Sequence, residues 1–416
     1  MDSRFGTLHS RGRGSASRPG YASFMCGLLL LLPCWTGAAD RSLQLVETFP
    51  VETSLDNADL PDAYEVWLAM IGAARTRLDF AEFYLSSEPD TRLDTVVRAI
   101  EAAAARGVRV RFLAEEKFYR TYPETIDRLG ECPGIEVRRL DIGKDTGGVL
   151  HAKYFVVDAG EAYIGSQNFD WRSLTHIQEL GMRLRVPGVV GALLDVFEAD
   201  WQRAGGATPA PTQPAAGRFP VTVVQDGDTL RVTPAFSPTG LLPDSTLWDL
   251  PRLVALIDAA RRTVRVQLLT YRSVGRDSAY FDALETALRR AAARGAHVQL
   301  LLSDWCKRRG TIEGLQSLQS VPNIDVRLVT IPQAAAGFIP FARVIHAKYL
   351  VVDGGAFWLG TSNWEKDYFY NSRNVGVIVE GALARRLDRF FTDTWASPYA
   401  YDVDACATYE PPRIGQ

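Results

Sequence analysis

The stretch HAKYFVVDAGEAYIGSQNFDWRSLTHIQE, His151 to Glu179, returns in altered form as HAKYLVVDGGAFWLGTSNWEKDYFYNSRN, His346 to Asn374. In each copy a His is followed at +2 by Lys, at +7 by Asp, at +14 by Gly and at +17 by Asn. His151, Lys153, Asp158, Gly165, Ser166 and Asn168 therefore answer to His346, Lys348, Asp353, Gly360, Thr361 and Asn363. Two such matches 195 residues apart in one chain make chance a poor explanation.

The flanks repeat too. IGAARTRLDFAEFYLSS from Ile71 is echoed by IDAARRTVRVQLLTYRS from Ile257, AARGVRVRFL from Ala104 by AARGAHVQLL from Ala292, and IEVRRL from Ile135 by IDVRLV from Ile324. The offset grows from 186 to 188 to 189 and reaches 195 at the paired His, so the chain is a duplicated unit with insertions in its loops. Within the first copy the pattern predicts a helix over Pro61–Arg75, a strand over Leu78–Tyr84, a helix over Leu93–Arg106 stopped by Gly107, and strands over Val108–Ala114, Ile135–Leu140 and Tyr154–Asp158. Helices alternating with short apolar strands imply an α/β fold: two pseudo-symmetric lobes, each a mostly parallel sheet covered by helices. Ala204 to Gly217, AGGATPAPTQPAAG, reads as an exposed connection, which divides residues 40–203 from 219–416 across a linker at 204–218. Phe219 to Leu247 reads as an irregular approach with one short strand or hairpin.

The repeated residues suit phosphoryl chemistry. A neutral imidazole is a nucleophile toward phosphorus. A second imidazole, with an ordinary pKa near 6.5, can protonate a departing alkoxide. Two Lys supply fixed positive charge for phosphoryl oxygens, and Asn168, Asn363, Ser166 and Thr361 add neutral donors. The set calls for no metal and no cofactor. One half-site per copy predicts that the lobes face each other so that His151 and His346 converge on one phosphorus.

Two HxKxxxxD motifs, each followed by GSxN or a close variant, resemble the phospholipase D superfamily. The resemblance spans nearly the whole chain beyond residue 39. It implies two α/β lobes with the site at their interface, and a metal-independent phosphodiesterase in which one motif His becomes a phosphohistidine and the other acts as acid and then as base. It suggests His151 as nucleophile and His346 as acid, although sequence symmetry cannot assign the roles. GSQNFDWRSLTHIQELG (Gly165 to Gly181) and GTSNWEKDYF (Gly360 to Phe369) are similar to the animal and poxviral branch that includes the lysosomal single-strand 5′ exonucleases. The implied substrates are a phospholipid, by hydrolysis or transphosphatidylation, or single-stranded nucleic acid. An inactive phosphodiester-binding protein is the alternative, and intact His and Lys in both copies oppose it. Asp353 stands where relatives can carry Glu. Glu179 lies opposite Asn374, each 11 residues after its motif Asn. The acidic one of the pair resembles a support for the nucleophilic imidazole of one half.

The bland readings compete unevenly. An Asp that ends an apolar strand before a turn is often a turn former, so Asp158 and Asp353 are expected to hold the motif rather than touch substrate. Ser166 and Thr361 can equally cap local backbone. Phe169, Trp171, Trp364, Tyr368, Phe369 and Tyr370 can stack on bases or pack between lobes, and packing is the default. His176 can face the site entrance, while His297 reads as a core or strand-end residue. Gly337 to Phe341, GFIPF, is either a peripheral membrane contact or a buried loop. No obligate protein partner is indicated.

The 416 residues carry 46 basic and 49 acidic side chains with 47% hydrophobic residues, the composition of a folded globular protein. Arg4, Arg11, Arg13 and Arg18 precede an apolar run from Phe24 to Leu32 and the small residues Gly37-Ala38-Ala39. That order is expected of a cleavable secretory signal over residues 1–39, and it is short for a membrane anchor. The expected location is secreted, periplasmic or lumenal. Its loss removes four basic residues and one acidic, leaving 42 against 48 and a net charge of −6. Such a balance argues against sequence-independent wrapping of duplex nucleic acid. Cys132, Cys306 and Cys406 remain; export permits disulfides, and an odd count leaves at least one cysteine unpaired.

Overall fold

The computed structural model describes residues 41–209, 217–275 and 279–415. The expected signal segment, 1–39, and most of the Pro/Ala-rich stretch of the expected linker lie outside them. In the first lobe the elements are β1 (Leu43–Thr48), α1 (Ala63–Ala73), β2 (Arg77–Glu82), α2 (Arg92–Ala105), β3 (Arg109–Glu115), β4 (Ile135–Leu140), β5 (Lys153–Val157), β6 (Glu161–Gly165), β7 (Ile177–Leu184) and α3 (Pro187–Ala204). The second continues with β8 (Val221–Gln225), β9 (Asp228–Ser237), α4 (Asp249–Ala259), β10 (Thr263–Leu268), α5 (Ala283–Ala293), β11 (His297–Ser303), α6 (Ile312–Gln319), β12 (Ile324–Val329), β13 (Tyr349–Val352), β14 (Ala356–Gly360), β15 (Asn374–Glu380), α7 (Leu383–Trp395) and β16 (Ala400–Asp402). Short helical turns and two-residue strands fill the connections.

Local sequence accounts for the element ends. The Asp62 carboxylate accepts the Tyr64 amide at 2.8 Å and starts α1, whose buried Val66, Trp67, Met70 and Ile71 recur at helical spacing. Thr91 caps α2, and Gly107, at φ 93°, takes the left-handed turn that ends it. The approach expected over 219–247 is the β8–β9 hairpin followed by two 3-10 turns.

The first sheet runs β1-β7-β6-β5-β2-β3-β4 and the second β8-β9-β15-β14-β13-β10-β11-β12-β16. The α/β reading holds, but the sheets are not mostly parallel. Only β2/β3/β4 and β10/β11/β12 pair in parallel; the other neighbours along both paths are antiparallel. The reason is connection length. The parallel strands are joined through helices, whereas Asp158–Gly160 and Asp353–Gly355 are turns of three residues that can only reverse the chain.

Helices α1 and α2 cover the outer face of the first sheet, and α4, α5 and α6 that of the second. The faces turned inward share a single apolar cluster, with Tyr154, Ile164 and Met182 from one sheet and Tyr349, Leu359 and Val377 from the other. Leu193, Val196 and Phe197 of α3 and Leu387, Phe390 and Phe391 of α7 close it. Separating the lobes would expose this cluster to water, and the described residues accordingly form one compact unit.

Two short segments cross between lobes. Val344–Ile345 pairs in parallel with Ile177–Gln178 at the start of β7, and Leu150 bridges to Arg373. Each crossing places the residue before a motif His on the other lobe's backbone.

Candidate active site

The crossings fix the two imidazoles. The His346 amide donates to the Gln178 carbonyl at 2.8 Å, and the His151 amide to the Arg373 carbonyl at 2.9 Å. The residue after each carbonyl then reaches the ring. His346 Nδ1 lies 2.7 Å from Glu179 Oε2, and His151 Nδ1 lies 3.0 Å from Asn374 Oδ1. Glu179 and Asn374 thus support the opposite lobe's His, and the carboxylate serves His346 rather than His151. The Asn374 amide nitrogen donates to the Tyr368 carbonyl at 2.8 Å and to Ser237 Oγ at 3.2 Å, which turns its oxygen toward His151. His151 Nδ1 therefore carries the hydrogen and Nε2 keeps its lone pair. Glu179, held at its other oxygen by Ser173 Oγ at 2.8 Å, fixes the same tautomer on His346.

Lys153 and Lys348 are buried and each donates its ammonium to the carbonyl of its own motif His, the first at 2.6 Å. Burial, then the cation of Lys348, pushes Lys153 well below its ordinary pKa; burial brings Lys348 down to about 7 against the upward pull of Glu179. Burial, then the two ammonium groups, pushes His151 well below its ordinary value. His346 is also lowered by burial, but Glu179 opposes the shift. Burial works against ionisation of Glu179, yet His346 and Lys348 hold its pKa below the ordinary carboxyl value. The two lysines and the two imidazoles share one field, and His346 is the imidazole placed to gain a proton first.

The remaining predicted residues divide by position. Asn168 is buried with a carbonyl oxygen that meets no donor among the described residues. Asn363 accepts the Thr270 amide at 3.3 Å and donates to the Tyr368 hydroxyl at 3.2 Å. Ser166 and Thr361, expected as substrate donors, are engaged elsewhere: Ser166 exchanges bonds with the Leu180 backbone, and Thr361 Oγ1 donates to Asn374 at 3.0 Å and accepts the Val375 amide. They hold the strands that carry Glu179 and Asn374. Asp158 and Asp353 directly follow β5 and β13, roughly 16 Å along the chain beyond each Lys at ~3.3 Å per residue. Asp158 accepts the amides of Arg75, Thr76 and Arg77 and the Thr76 hydroxyl; Asp353 accepts those of Arg261, Arg262 and Thr263. Burial raises the Asp158 carboxyl, but these donors, led by the Arg77 amide, bring it to about 2. Both Asp residues lock a helix-to-strand turn, remote from the imidazoles. The motif glycines have a spatial reason: a Cβ on Gly165 would stand 2.2 Å from Gln167, and one on Gly360 2.6 Å from the Trp358 ring.

Of the six aromatics after the motifs, Phe169, Trp364 and Phe369 are core residues. Tyr368 meets His151 edge-on at 4.9 Å, Trp171 packs on His176 at 5.7 Å, and Tyr370 is exposed. His297 is an exposed strand-start residue paired with Asp325 at 2.6 Å. In the 337–341 segment, Phe338 lies under the Arg413 guanidinium at 4.0 Å, Ile339 packs on Ile177 and Val344, and Phe341 is exposed. Cys132, Cys306 and Cys406 are free thiols. Among the described residues no group of three or more His, Cys, Asp or Glu is gathered as a metal site.

Three features escape a reading of the motifs alone. The first is Arg373, fully buried, whose guanidinium grips Asp200 of α3 at 2.7 and 2.9 Å and donates to the Ser237 and Leu241 carbonyls. The second is its counterpart Gln178, which donates to Thr394 of α7 at 2.9 Å and accepts from Gln267 at 2.9 Å. Each stands directly before a supporting residue, Asn374 or Glu179, a position the aligned copies display. The third is a row of rings beside His151: Phe83, Phe118, Tyr84 and Tyr122. The Phe83-Tyr84 pair against Leu269-Thr270 in the second copy is the difference that could have marked it.

The family described as "Cardiolipin synthase, PLD-like domain" matches residues 67–201 and 233–395. The chain is 33% identical over 398 residues to the "5'-3' exonuclease PLD3" of Bos taurus, covering 87% of this chain and 81% of the relative. It is 31% identical over 382 residues to the "Virion nicking-joining enzyme" of Vaccinia virus (strain Western Reserve), covering 86% and 89%. Among solved structures, phosphatidylserine synthase of Haemophilus influenzae Rd KW20 superposes with a TM-score of 0.60 at 11% identity over 89% of both chains, a likeness of fold.

Proposed function

The chain belongs to the phospholipase D superfamily, in the branch of the animal 5′–3′ exonucleases and the poxviral nicking-joining enzyme, and from that premise we propose that it is a phosphodiesterase working in two steps through phosphohistidine. One observation carries the reading: two imidazoles, each with Nδ1–H held by the other lobe, present Nε2 within the field of two buried lysines. The acidic residue is expected behind the nucleophile, but Glu179 stands behind His346; we keep His151 as the nucleophile because its partner Asn374 is uncharged, so that it stays neutral and attacks phosphorus. His346, with Glu179 behind it, takes up a proton when the diester anion offsets the lysine charge, gives it to the leaving oxygen, and then receives one from water. Lys153, Lys348, Asn168 and Asn363 hold the non-bridging oxygens, where negative charge grows in the transition state.

The substrate is a phosphodiester of phospholipid or of single-stranded nucleic acid. Relatives named exonuclease and nicking-joining enzyme, and the rings beside His151, favour nucleic acid. The lipid reading is supported by the family's description and by exposed Phe341 as a peripheral membrane contact. Export through residues 1–39 completes the proposal, supported by their basic, apolar and small-residue order.

The test uses purified protein in EDTA with a labelled single-stranded oligonucleotide and, separately, phosphatidylcholine vesicles. A p-nitrophenyl phosphodiester, whose leaving group needs no proton, examines the roles. His346→Asn should still release a first equivalent of nitrophenolate and trap the phosphoryl group, with its remaining ester substituent, on His151, whereas His151→Asn should release none. Phosphate trapped on His346 in the reciprocal variant would reverse the assignment.

A further inference from the structure

The reacting groups of the two half-sites are alike, but their walls differ. Phe83, just after β2, has its ring centroid 4.8 Å from the His151 imidazole, with the Lys153 ammonium 4.8 Å from its own centre. Phe118 lies 4.0 Å from Phe83; Tyr84 lies 5.8 Å from Phe118 and 5.2 Å from Tyr122, with interplanar angles of 22° and 25°. All four rings are half-buried, so each keeps accessible surface. The Tyr84 hydroxyl donates to Asp170 at 2.8 Å, and Asp170 is clamped by Arg172, so the row is fixed in place. In the second lobe Leu269 takes the register position of Phe83. Around it gather Ile339, Ala342, Val344 and Ile177 with Trp305, a mostly aliphatic lining.

We propose that the ring row Phe83, Phe118, Tyr84 and Tyr122 is a nucleobase subsite, and that the base it takes belongs to the group that stays bonded to phosphorus. The inference rests on His151 as nucleophile. In the first step His151 Nε2 forms the N–P bond while the P–O bond to the leaving alcohol breaks on the opposite side, and the departing oxygen takes the proton of His346. In the second, water oxygen bonds to phosphorus, its proton goes to His346, and the N–P bond breaks, returning the lone pair to His151. The leaving group therefore departs toward His346. Whatever touches the rings beside His151 remains attached through both steps. Phe83 is tilted 54° from Phe118, but Phe118, Tyr84 and Tyr122 present nearly parallel, fixed faces, from which a planar base gains in a way a flexible acyl chain does not, because stacking needs flat surfaces held at a set angle.

The experiment compares kcat/KM for thymidine 3′-(p-nitrophenyl phosphate), which retains a base on phosphorus, with that for methyl p-nitrophenyl phosphate, which has none. In Phe118→Leu the ratio should fall about fivefold to a hundredfold, the range set by loss of one base–aromatic stack. Tyr122→Leu serves as a second variant, with near-ultraviolet circular dichroism checking the fold of each. An unchanged ratio in both folded variants would overturn the subsite. So would a selective loss on a dioctanoyl phosphatidyl p-nitrophenyl ester, which would assign the row to acyl chains. Mass spectrometry of the trapped intermediate separates this from the underlying reading: phosphate on His346 removes the premise, whereas phosphate on His151 with an unchanged ratio refutes the subsite alone.

Discussion

Replacing Asp200 by Ala tests how the two lobes hold His151. Asp200 and Arg373 have essentially no exposed side-chain surface, and their bonds are 2.7 and 2.9 Å. Removing the carboxylate leaves a guanidinium in the core with only the carbonyls of Ser237 and Leu241, which cannot balance its charge. Breaking one side of a buried pair in this way costs about 3–5 kcal/mol, far more than an exposed pair is worth. Catalysis should fall as well, because the peptide of Arg373 accepts the His151 amide and donates to the Val149 carbonyl at 2.9 Å, and Asn374 follows it. A shift of order 1 Å there would cost roughly 10²-fold in kcat. The assay is urea unfolding at pH 7 together with turnover of a p-nitrophenyl diester at a temperature where the variant is fully folded. Asp200→Asn, which keeps the shape and one acceptor, should lose about half as much stability. A loss below about 1 kcal/mol for Asp200→Ala, with unaltered kcat, would refute the reasoning, since it would mean that Arg373 finds water or another anion.

Other outcomes follow from the same geometry. Because Lys348 titrates near 7 in the empty site and only its charged form holds phosphate, kcat/KM should decline as pH rises through about 7. The corresponding limb in kcat should lie higher, since the bound anion favours the cation; coincident limbs in the pH profiles would exclude Lys348 as the titrating group. Glu179→Gln should lower turnover of a natural diester by about 10²–10⁴-fold and that of a p-nitrophenyl ester much less, because only the former needs the His346 proton; equal losses would remove Glu179 from proton transfer. Glu47, buried, has its carboxyl pushed up by burial to about 8, despite bonds from Asn57. A raised folded pKa gives stability that is full below the unfolded value of 4.5 and lost as pH rises to about 8, so Glu47→Gln should gain on the wild type by a few kcal/mol between pH 4.5 and 9 in urea unfolding. Asp158→Ala should cost about 1–3 kcal/mol through its lost bonds to the Arg75–Arg77 turn and leave kcat within a few-fold; a hundredfold fall in a folded variant would place Asp158 in the chemistry.

What the sequence determined by itself was the duplication, the alternation of helices and strands, and the residue types of the site. His151, Lys153 and Asn168 and their counterparts are legible because the spacing of a strand, a tight turn and a second strand is a local property repeated twice. The correspondence of Glu179 and Asn374 as aligned positions was visible for the same reason. The docking of one copy against the other decided the rest. That Glu179 meets His346, and Asn374 meets His151, depends on Ile345 and Leu150 lying on the opposite lobe's backbone, and no local pattern encodes partners 167 and 223 residues away. Strand direction in the sheets followed turn length more than the apolar runs that suggested parallel pairing. Ser166 and Thr361 became strand ties because buried hydroxyls bond to the nearest backbone, and Phe83, beside His151, gained Phe118 as its neighbour because parallel β2 and β3 end on the same side. The chemistry is written along the chain; its polarity comes from the packing of two similar halves whose walls are not the same.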